Sequence, residues 1–360
     1  MKLLASAYIF NAPGQCLKHQ KFPVPEPASG EILVKNNVCT ICGSDLHSYL
    51  GKRKEQTPCI LGHEIVGTIT ALPDDEMITD YYGNKLKAGD KITWTVCASC
   101  GECHHCRNGN TQKCEKLIKY GHLPISDEYI WNGGFAEYTL LKKGTDVFIL
   151  PDYIPDHLLA PLNCSYATVA AAIRLAASVK GKNVFIFGAG MLGILTVAMC
   201  KVQGAAHITI IDPKAERLET TKLFGADKGI LWDDCKKAPE KFAGKYGAEI
   251  IFEMSGSNKA IDTALKMLGI GGTLILAGSV FPVGPVQINP ENIVRKLWTI
   301  KGIHNYIAED LATAVNFLVD NVKNFPFQKL YEEQEFGLKD INVALEKAQN
   351  TKQNRVIVRT

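Results

Sequence analysis

One stretch constrains the fold of this chain more than any other: the strand-like run Asn183-Val-Phe-Ile-Phe, followed at once by Gly188-Ala-Gly190-Met-Leu-Gly193 and then by an apolar helical segment. Glycines at such a strand-to-helix junction permit a tight turn, a close approach of backbone to a pyrophosphate, and close packing of the helix on its strand. Gly188, Gly190, Met191, Leu192 and Gly193 are therefore the candidate phosphate-facing residues, at a helix N-terminus whose free amides attract anions. The next strand-like run, His207-Ile-Thr-Ile-Ile, ends at Asp212, close to the separation of about 20 residues at which a carboxylate accepts hydrogen bonds from a ribose. A 2′-phosphate would be repelled there, so the pattern favours NAD over NADP. Asp212 also reads as a helix N-cap ahead of Pro213.

The same texture continues through Glu249-Ile-Ile-Phe and Gly272-Thr-Leu-Ile-Leu, with Ile261, Ala264, Leu265 and Leu268 between them at the spacing of one helix face. Alternating strands and helices predict a doubly wound parallel sheet. Before Asp152 the chain is instead rich in Gly, Pro and short apolar alternations such as Glu31-Ile-Leu-Val-Lys, which predicts a β-rich domain. After Trp298 come mixed strands, a helix around Asp310 to Val322, and a final strand at Arg355-Val-Ile-Val, expected to rejoin the first domain. The expected division is 1–164 as catalytic domain, with a cysteine lobe at about 97–114, then 165–302 as dinucleotide domain and 303–360 as a return to the first. Asp74 to Leu86 and Tyr120 to Asn132 lack periodicity and read as surface loops.

A length of 360 residues fits two domains, and 46% apolar with 21% charged residues fits a globular enzyme. A net charge of +3 is too small for the electrostatic footprint of a nucleic-acid or membrane binder. Met1 to Phe10 reads as a first strand, not a signal peptide. Twelve cysteines without such a signal point to metal ligation and buried thiols in a reducing cytoplasm.

Four of those cysteines form a C-x2-C-x2-C-x7-C array: Cys100, Cys103, Cys106 and Cys114. Thiolates at this spacing can close a tetrahedral shell with no open position, the mark of a structural zinc. Cys97, three residues earlier, competes for membership and is taken as a spare thiol. A second set of ligand types is scattered: Cys42 in Cys42-Gly-Ser-Asp-Leu-His47, His63 in Gly62-His63-Glu64, and Cys164 in Pro161-Leu-Asn-Cys164. Two thiolates and an imidazole leave a fourth position open on a metal.

Together these residues resemble the zinc-containing medium-chain alcohol and polyol dehydrogenases, and the resemblance runs from Gly62-His63-Glu64 to the strand at Arg355. It implies an α/β protein with a β-rich GroES-like catalytic domain and a doubly wound Rossmann dinucleotide-binding domain. Two cysteines and a histidine are the known catalytic zinc ligands of alcohol dehydrogenase. By that resemblance Cys42, His63 and Cys164 bind the catalytic zinc, with Glu64 behind the metal as a transient ligand. Asp45 would fix the tautomer of His63, Ser44 and His47 would relay the alcohol proton, Thr168 would pack against the nicotinamide, and Arg355 would face the pyrophosphate. Against these stand plainer readings: Ser44 as a turn hydroxyl, His47 and Arg355 as surface residues, Asp45 and Glu64 as polar neighbours in a turn.

The expected activity is hydride transfer from a small alcohol to NAD, giving an aldehyde or ketone, with two zinc ions per chain and a homodimer or homotetramer. Assembly would use the cofactor domain, where Gly272 to Ala277 would extend the sheet across a two-fold axis. Lys116 to His122, Ala277 to Pro285 and His304-Asn-Tyr are similar to a bacterial subgroup associated with phosphonate catabolism. That similarity implies an anionic alcohol such as a hydroxyalkylphosphonate, for which Lys52, Arg53, His122 or Arg295 would supply cations. Polyols, simple alcohols and a non-catalytic zinc-binding relative are the alternatives. A zinc-ribbon nucleic-acid module would explain the cysteine lobe but not the alternating strands and helices.

Overall fold

Strand Ile32–Thr40 is buried along most of its length, which places it at the centre of a sheet, where both faces are covered. It pairs antiparallel with Glu64–Ala71, with Tyr138–Leu141 and with the C-terminal strand Arg355–Arg359. Tyr331–Gly337, Val147–Ile149 and Lys91–Trp94 complete a seven-stranded sheet, and a three-stranded sheet of Lys18–Pro23, Leu4–Phe10 and Cys59–Ile60 lies in the same unit. Their shared core includes Phe10, Trp94, Tyr120 and Phe135. The computed structural model describes residues 3–73, 76–351 and 354–360. Met1, Lys2, Asp74 and Asp75, which the first-strand and loop readings included, lie outside them.

The chain divides into two units. One runs through Cys164 and takes up Ile307–Val319 and Phe327–Thr360; the other comprises Ser165–Tyr306 and Asp320–Pro326. In the second unit Asn183–Phe187, His207–Asp212, Lys228–Leu231, Ala248–Glu253, Leu268–Leu276 and Thr299–Gly302 form a wholly parallel sheet. Numbered along the chain, these strands lie in the spatial order 3-2-1-4-5-6, which is the Rossmann arrangement with its switch point beside the first strand.

Three local expectations are corrected. Leu268 is buried but does not continue the helical stripe: the helix Asn258–Met267 ends before it, and Leu268 opens the next strand opposite Ala248. Gly272 to Ala277 cannot extend the sheet, because its strand lies between Ala248–Glu253 and Thr299–Gly302 and has no free edge. The segment Tyr120 to Asn132 is anchored from within, with Tyr120, Trp131 and Asn132 buried. Its polar composition hid this, because the anchoring residues, two of them aromatic, are not periodic. Among the described residues no single helix is long and apolar enough to cross a membrane.

Gly193 sets how closely the helix Met191–Val202 packs on the loop before it. A Cβ at this position would lie 1.8 Å from the carbonyl oxygen of Gly188, a backbone atom that cannot yield unless the loop moves. Gly193→Ala is expected to cost about 1–3 kcal/mol and to lower the melting temperature followed by circular dichroism. An unchanged melt would contradict this packing.

Candidate functional site

Three neighbouring strands bring the scattered ligand types together. Thr40 pairs with Glu64 on one side and with Ile357 on the other, so Cys42, His63 and Arg355 converge at one end of the sheet although as many as 313 residues separate them. Cys42 caps the helix Gly43–Tyr49, and the Asp45 side chain closes a capping box on the Cys42 amide at 2.9 Å. Gly62 adopts φ +88°, and a Cβ there would meet the Phe135 ring at 2.8 Å. Only glycine therefore delivers His63 into this space.

The ligating atoms of Cys42, His63 and Cys164 all lie within 4.8 Å of one another. The two sulfurs are 3.9 Å apart, against about 3.8 Å for two thiolates on a tetrahedral zinc with bonds of about 2.3 Å. Asp45, fully buried, accepts from His63 Nδ1 at 3.0 Å and from the Gly62 amide at 3.2 Å. This bond leaves Nε2 as the free imidazole donor atom. In the lobe the sulfur separations are 3.5 Å for Cys103–Cys106, 4.0 Å for Cys103–Cys114 and 3.4 Å for Cys100–Cys114. Both donor sets fit a zinc ion in chemistry and in spacing. Cys97 is not in the quartet; it lies buried in the short strand Cys97–Ala98, and burial pushes its thiol up to about 11.

Glu64 is not an idle turn residue. It is fully buried, and Arg355 holds both its oxygens at 2.6 Å while Thr40 Oγ1 donates to one of them at 2.6 Å. Arg355 also donates to the Asn354 carbonyl and reaches Cys42 Sγ at 3.5 Å. The surface reading of Arg355 is therefore corrected: the guanidinium is buried with Glu64 beneath the donor set. Ser44 Oγ lies 3.2 Å from His63 Nε2, and His47 is half-buried one turn further along the same helix. Burial foremost, then Lys52, lowers the His47 pKa.

One cluster was named only in part by the sequence, which offered Arg53 and His122 but not the Glu55 that joins them. Glu55 Oε1 accepts from Ser48 Oγ at 2.6 Å and from His122 Nδ1 at 3.1 Å, and it forms an ion pair with Arg53 Nε at 3.1 Å. The His122 ring lies 5.0 Å from that of His63.

In the second unit Gly190 caps the helix Met191–Val202, so the amides of Met191, Leu192 and Gly193 open its first turn, where helices leave donors unpaired. Asp212 ends its strand, 4% exposed, and accepts from the amides of Ala189 at 2.7 Å and Lys214 at 2.9 Å. The N-cap reading of Asp212 is corrected: the helix Ala215–Lys222 has Lys214 as its N-cap. Thr168 is half-buried in the helix Ser165–Leu175. The cradle fits a dinucleotide pyrophosphate and ribose.

Protonation follows from this geometry. Cys42 is held well below the usual thiol range, first by the hydrogen bond from Cys164, with Arg355 and His63 adding to it against the opposing effect of burial, while Cys164 is raised as the donor to it. Burial opposes a charge on His63, but Asp45 and Cys42 prevail and raise it to about 10. A metal entering here must displace the protons of His63 and Cys164. Zinc affinity is therefore expected to climb between pH 6 and pH 8, by about tenfold per unit for each proton released. Competition with a chromophoric chelator measures the slope, and a flat profile would contradict the assignment.

Comparison with known proteins agrees with this construction. The family description "Alcohol dehydrogenase GroES-like domain" matches residues 28–152, and "Zinc-binding dehydrogenase" matches residues 192–320. L-threonine 3-dehydrogenase of Proteus mirabilis is 30% identical over 292 residues, covering 78% of this chain and 79% of that one. The crystal structure of an alcohol dehydrogenase from Thermotoga maritima superposes with a TM-score of 0.91 at 29% identity, over 99% of each chain. A zinc-binding dehydrogenase from Sinorhizobium meliloti, solved with NADP, gives a TM-score of 0.85 at 22% identity over 100% of both chains and shares the fold. With a donor triad in a GroES-like unit and a glycine cradle in a Rossmann unit, this chain belongs to the zinc-containing medium-chain dehydrogenase family.

Proposed function

We propose that this protein is an NAD-dependent zinc alcohol dehydrogenase that converts a primary or secondary alcohol to an aldehyde or ketone. The observation that carries the reading is the triad of Cys42, His63 and Cys164, two sulfurs and one nitrogen within 4.8 Å. Three protein ligands leave the open position that a catalytic metal needs, whereas the four cysteines of the lobe leave none. When bound, zinc supplies a Lewis acid for the alcohol oxygen, and the nicotinamide accepts the hydride.

The chain's own residues do the rest. Asp45 fixes the orientation and tautomer of His63. Ser44, beside His63 Nε2, accepts the hydroxyl proton and passes it to His47, whose lowered pKa keeps the imidazole neutral and receptive at pH 7. Arg355 holds both oxygens of Glu64, so a transient approach of Glu64 to a bound metal would need that ion pair to open. A pyrophosphate contact from the same arginine would likewise need that pair to open, and Thr168 is our candidate for the nicotinamide contact. Asp212 supports NAD over NADP through its charge at the ribose position.

Polyols and hydroxyalkylphosphonates are the narrower substrate readings, and the named relatives add L-threonine as a third hydroxyl compound. Assembly as a homodimer or homotetramer through the second unit is part of the proposal. Its edge strand Thr299–Gly302 and the neighbouring Val294 and Leu297, 72% and 69% exposed, support that mode.

Metal analysis tests the reading. Cys42→Ser and Cys164→Ser should each retain one zinc per chain where the parent holds two, and should form no NADH from alcohols. Full zinc and full turnover in both variants would refute it. Asp212→Asn should raise the ratio of kcat/KM for NADP to that for NAD by about tenfold or more, and an unchanged ratio would remove Asp212 from cofactor choice.

A further inference from the structure

Two histidine rings lie against one another in the first unit, and each is held by its own buried carboxylate. His63 bonds Asp45 at 3.0 Å and His122 bonds Glu55 at 3.1 Å, both through Nδ1. The ring centroids are 5.0 Å apart, with the planes tilted by 35°. The side chains of Glu55 and His122 are each only 4% exposed. Yet neither belongs to the donor set, which is made by Cys42, His63 and Cys164.

Close packing joins the loop of His122 to His63. Gly121 adopts φ +76°, and a Cβ there would fall 2.5 Å from the Gly62 carbonyl oxygen and 2.9 Å from the Cβ of His63. Only glycine lets the loop come this near. A hydrogen bond at Nδ1 alone leaves the His63 ring able to swing about that bond, and a second ring packed beside it removes the freedom.

Glu55 acts in another direction through Ser48. The buried Ser48 hydroxyl donates to Glu55 Oε1 at 2.6 Å and lies 3.2 Å from the carbonyl oxygen of Ser44, one turn back in the helix Gly43–Tyr49. A serine bonded to the carbonyl of the preceding turn tends to bend its helix. The shorter bond to a carboxylate draws the hydroxyl away from that carbonyl. Ser44 is the residue whose Oγ lies 3.2 Å from His63 Nε2. The ion pair with Arg53 at 3.1 Å helps to hold the carboxylate in place between its two donors.

We infer that Glu55 is a positioning residue of the dehydrogenase site: one carboxylate oxygen sets both the His122 ring that braces His63 and the helical turn that presents Ser44. The inference rests on the dehydrogenase reading above and adds to it a residue outside the donor set.

Cobalt exchanged for zinc in the triad, with zinc kept in the lobe, reports the ligand geometry through its visible absorption bands. Glu55→Gln keeps the size of the side chain and removes its charge. Its cobalt bands should shift and its kcat should fall by about 10- to 100-fold, while NADH binding followed by fluorescence should match the parent. His122→Phe and His122→Ala separate bracing from chemistry, and they decide by the same readouts if Glu55→Gln does not fold. Phenylalanine keeps a ring beside His63 and should hold the bands and kcat near those of the parent, whereas alanine should behave as Glu55→Gln does. Equal losses of kcat in the two His122 variants would make His122 a proton-transferring group and overturn the positioning role. Parent bands and parent kcat in Glu55→Gln, even with a lower melting temperature, would also overturn it and leave the dehydrogenase intact. A parent that binds cobalt in the triad but oxidises no alcohol would count against the dehydrogenase reading, while the bands would still decide for or against Glu55.

Discussion

The buried carboxylate of Asp45 is the constraint on which the donor triad depends. Its two oxygens hold the amide of Cys42, the amide of Gly62 and the ring of His63, and so tie a helix start to the turn that precedes a strand. A carboxylate without solvent is costly unless donors satisfy it, and here three do. The same bonds that stabilise Asp45 also fix where the first two donor atoms point. Cys164 reaches them from a separate turn, after Ala160–Asn163.

Beneath the triad, Glu64 and Arg355 form a closed ion pair in the interior. Such a pair adds little net stability, but removing one partner strands the other and costs about 3–5 kcal/mol. Its value lies in placement. The pair joins the turn at Gly62 to the C-terminal strand, and it sets a guanidinium 3.5 Å from Cys42 Sγ, where positive charge favours the thiolate. Glu55 plays a comparable part, gathering Ser48, Arg53 and His122, whose ring lies 5.0 Å from that of His63.

What the sequence disclosed, and what it hid, follows from distance along the chain. The lobe cysteines and the glycine loop are legible because their chemistry is compressed into 15 and six residues, respectively. Spacing alone conveys their geometry. Cys42, His63 and Cys164 were recoverable only through resemblance to a family, since nothing local announces that separated residues meet. The plain readings of Asp45, Glu64 and Arg355 failed because burial of a charged residue depends on partners elsewhere in the chain, in one case 291 residues away. Glu55 carried no signal for the same reason. The segment Tyr120 to Asn132 was misread as surface because isolated aromatic anchors leave no periodic trace.

In our proposal one zinc sits in a closed shell of four sulfurs and a second in an incomplete shell of two sulfurs and one nitrogen. Zinc X-ray absorption on the full chain tests it most directly. Two ions per chain are expected, with averaged surroundings of about three sulfurs near 2.3 Å and about one nitrogen or oxygen near 2.0 Å. A single ion surrounded by sulfur alone would leave the lobe as the only metal site and contradict the account.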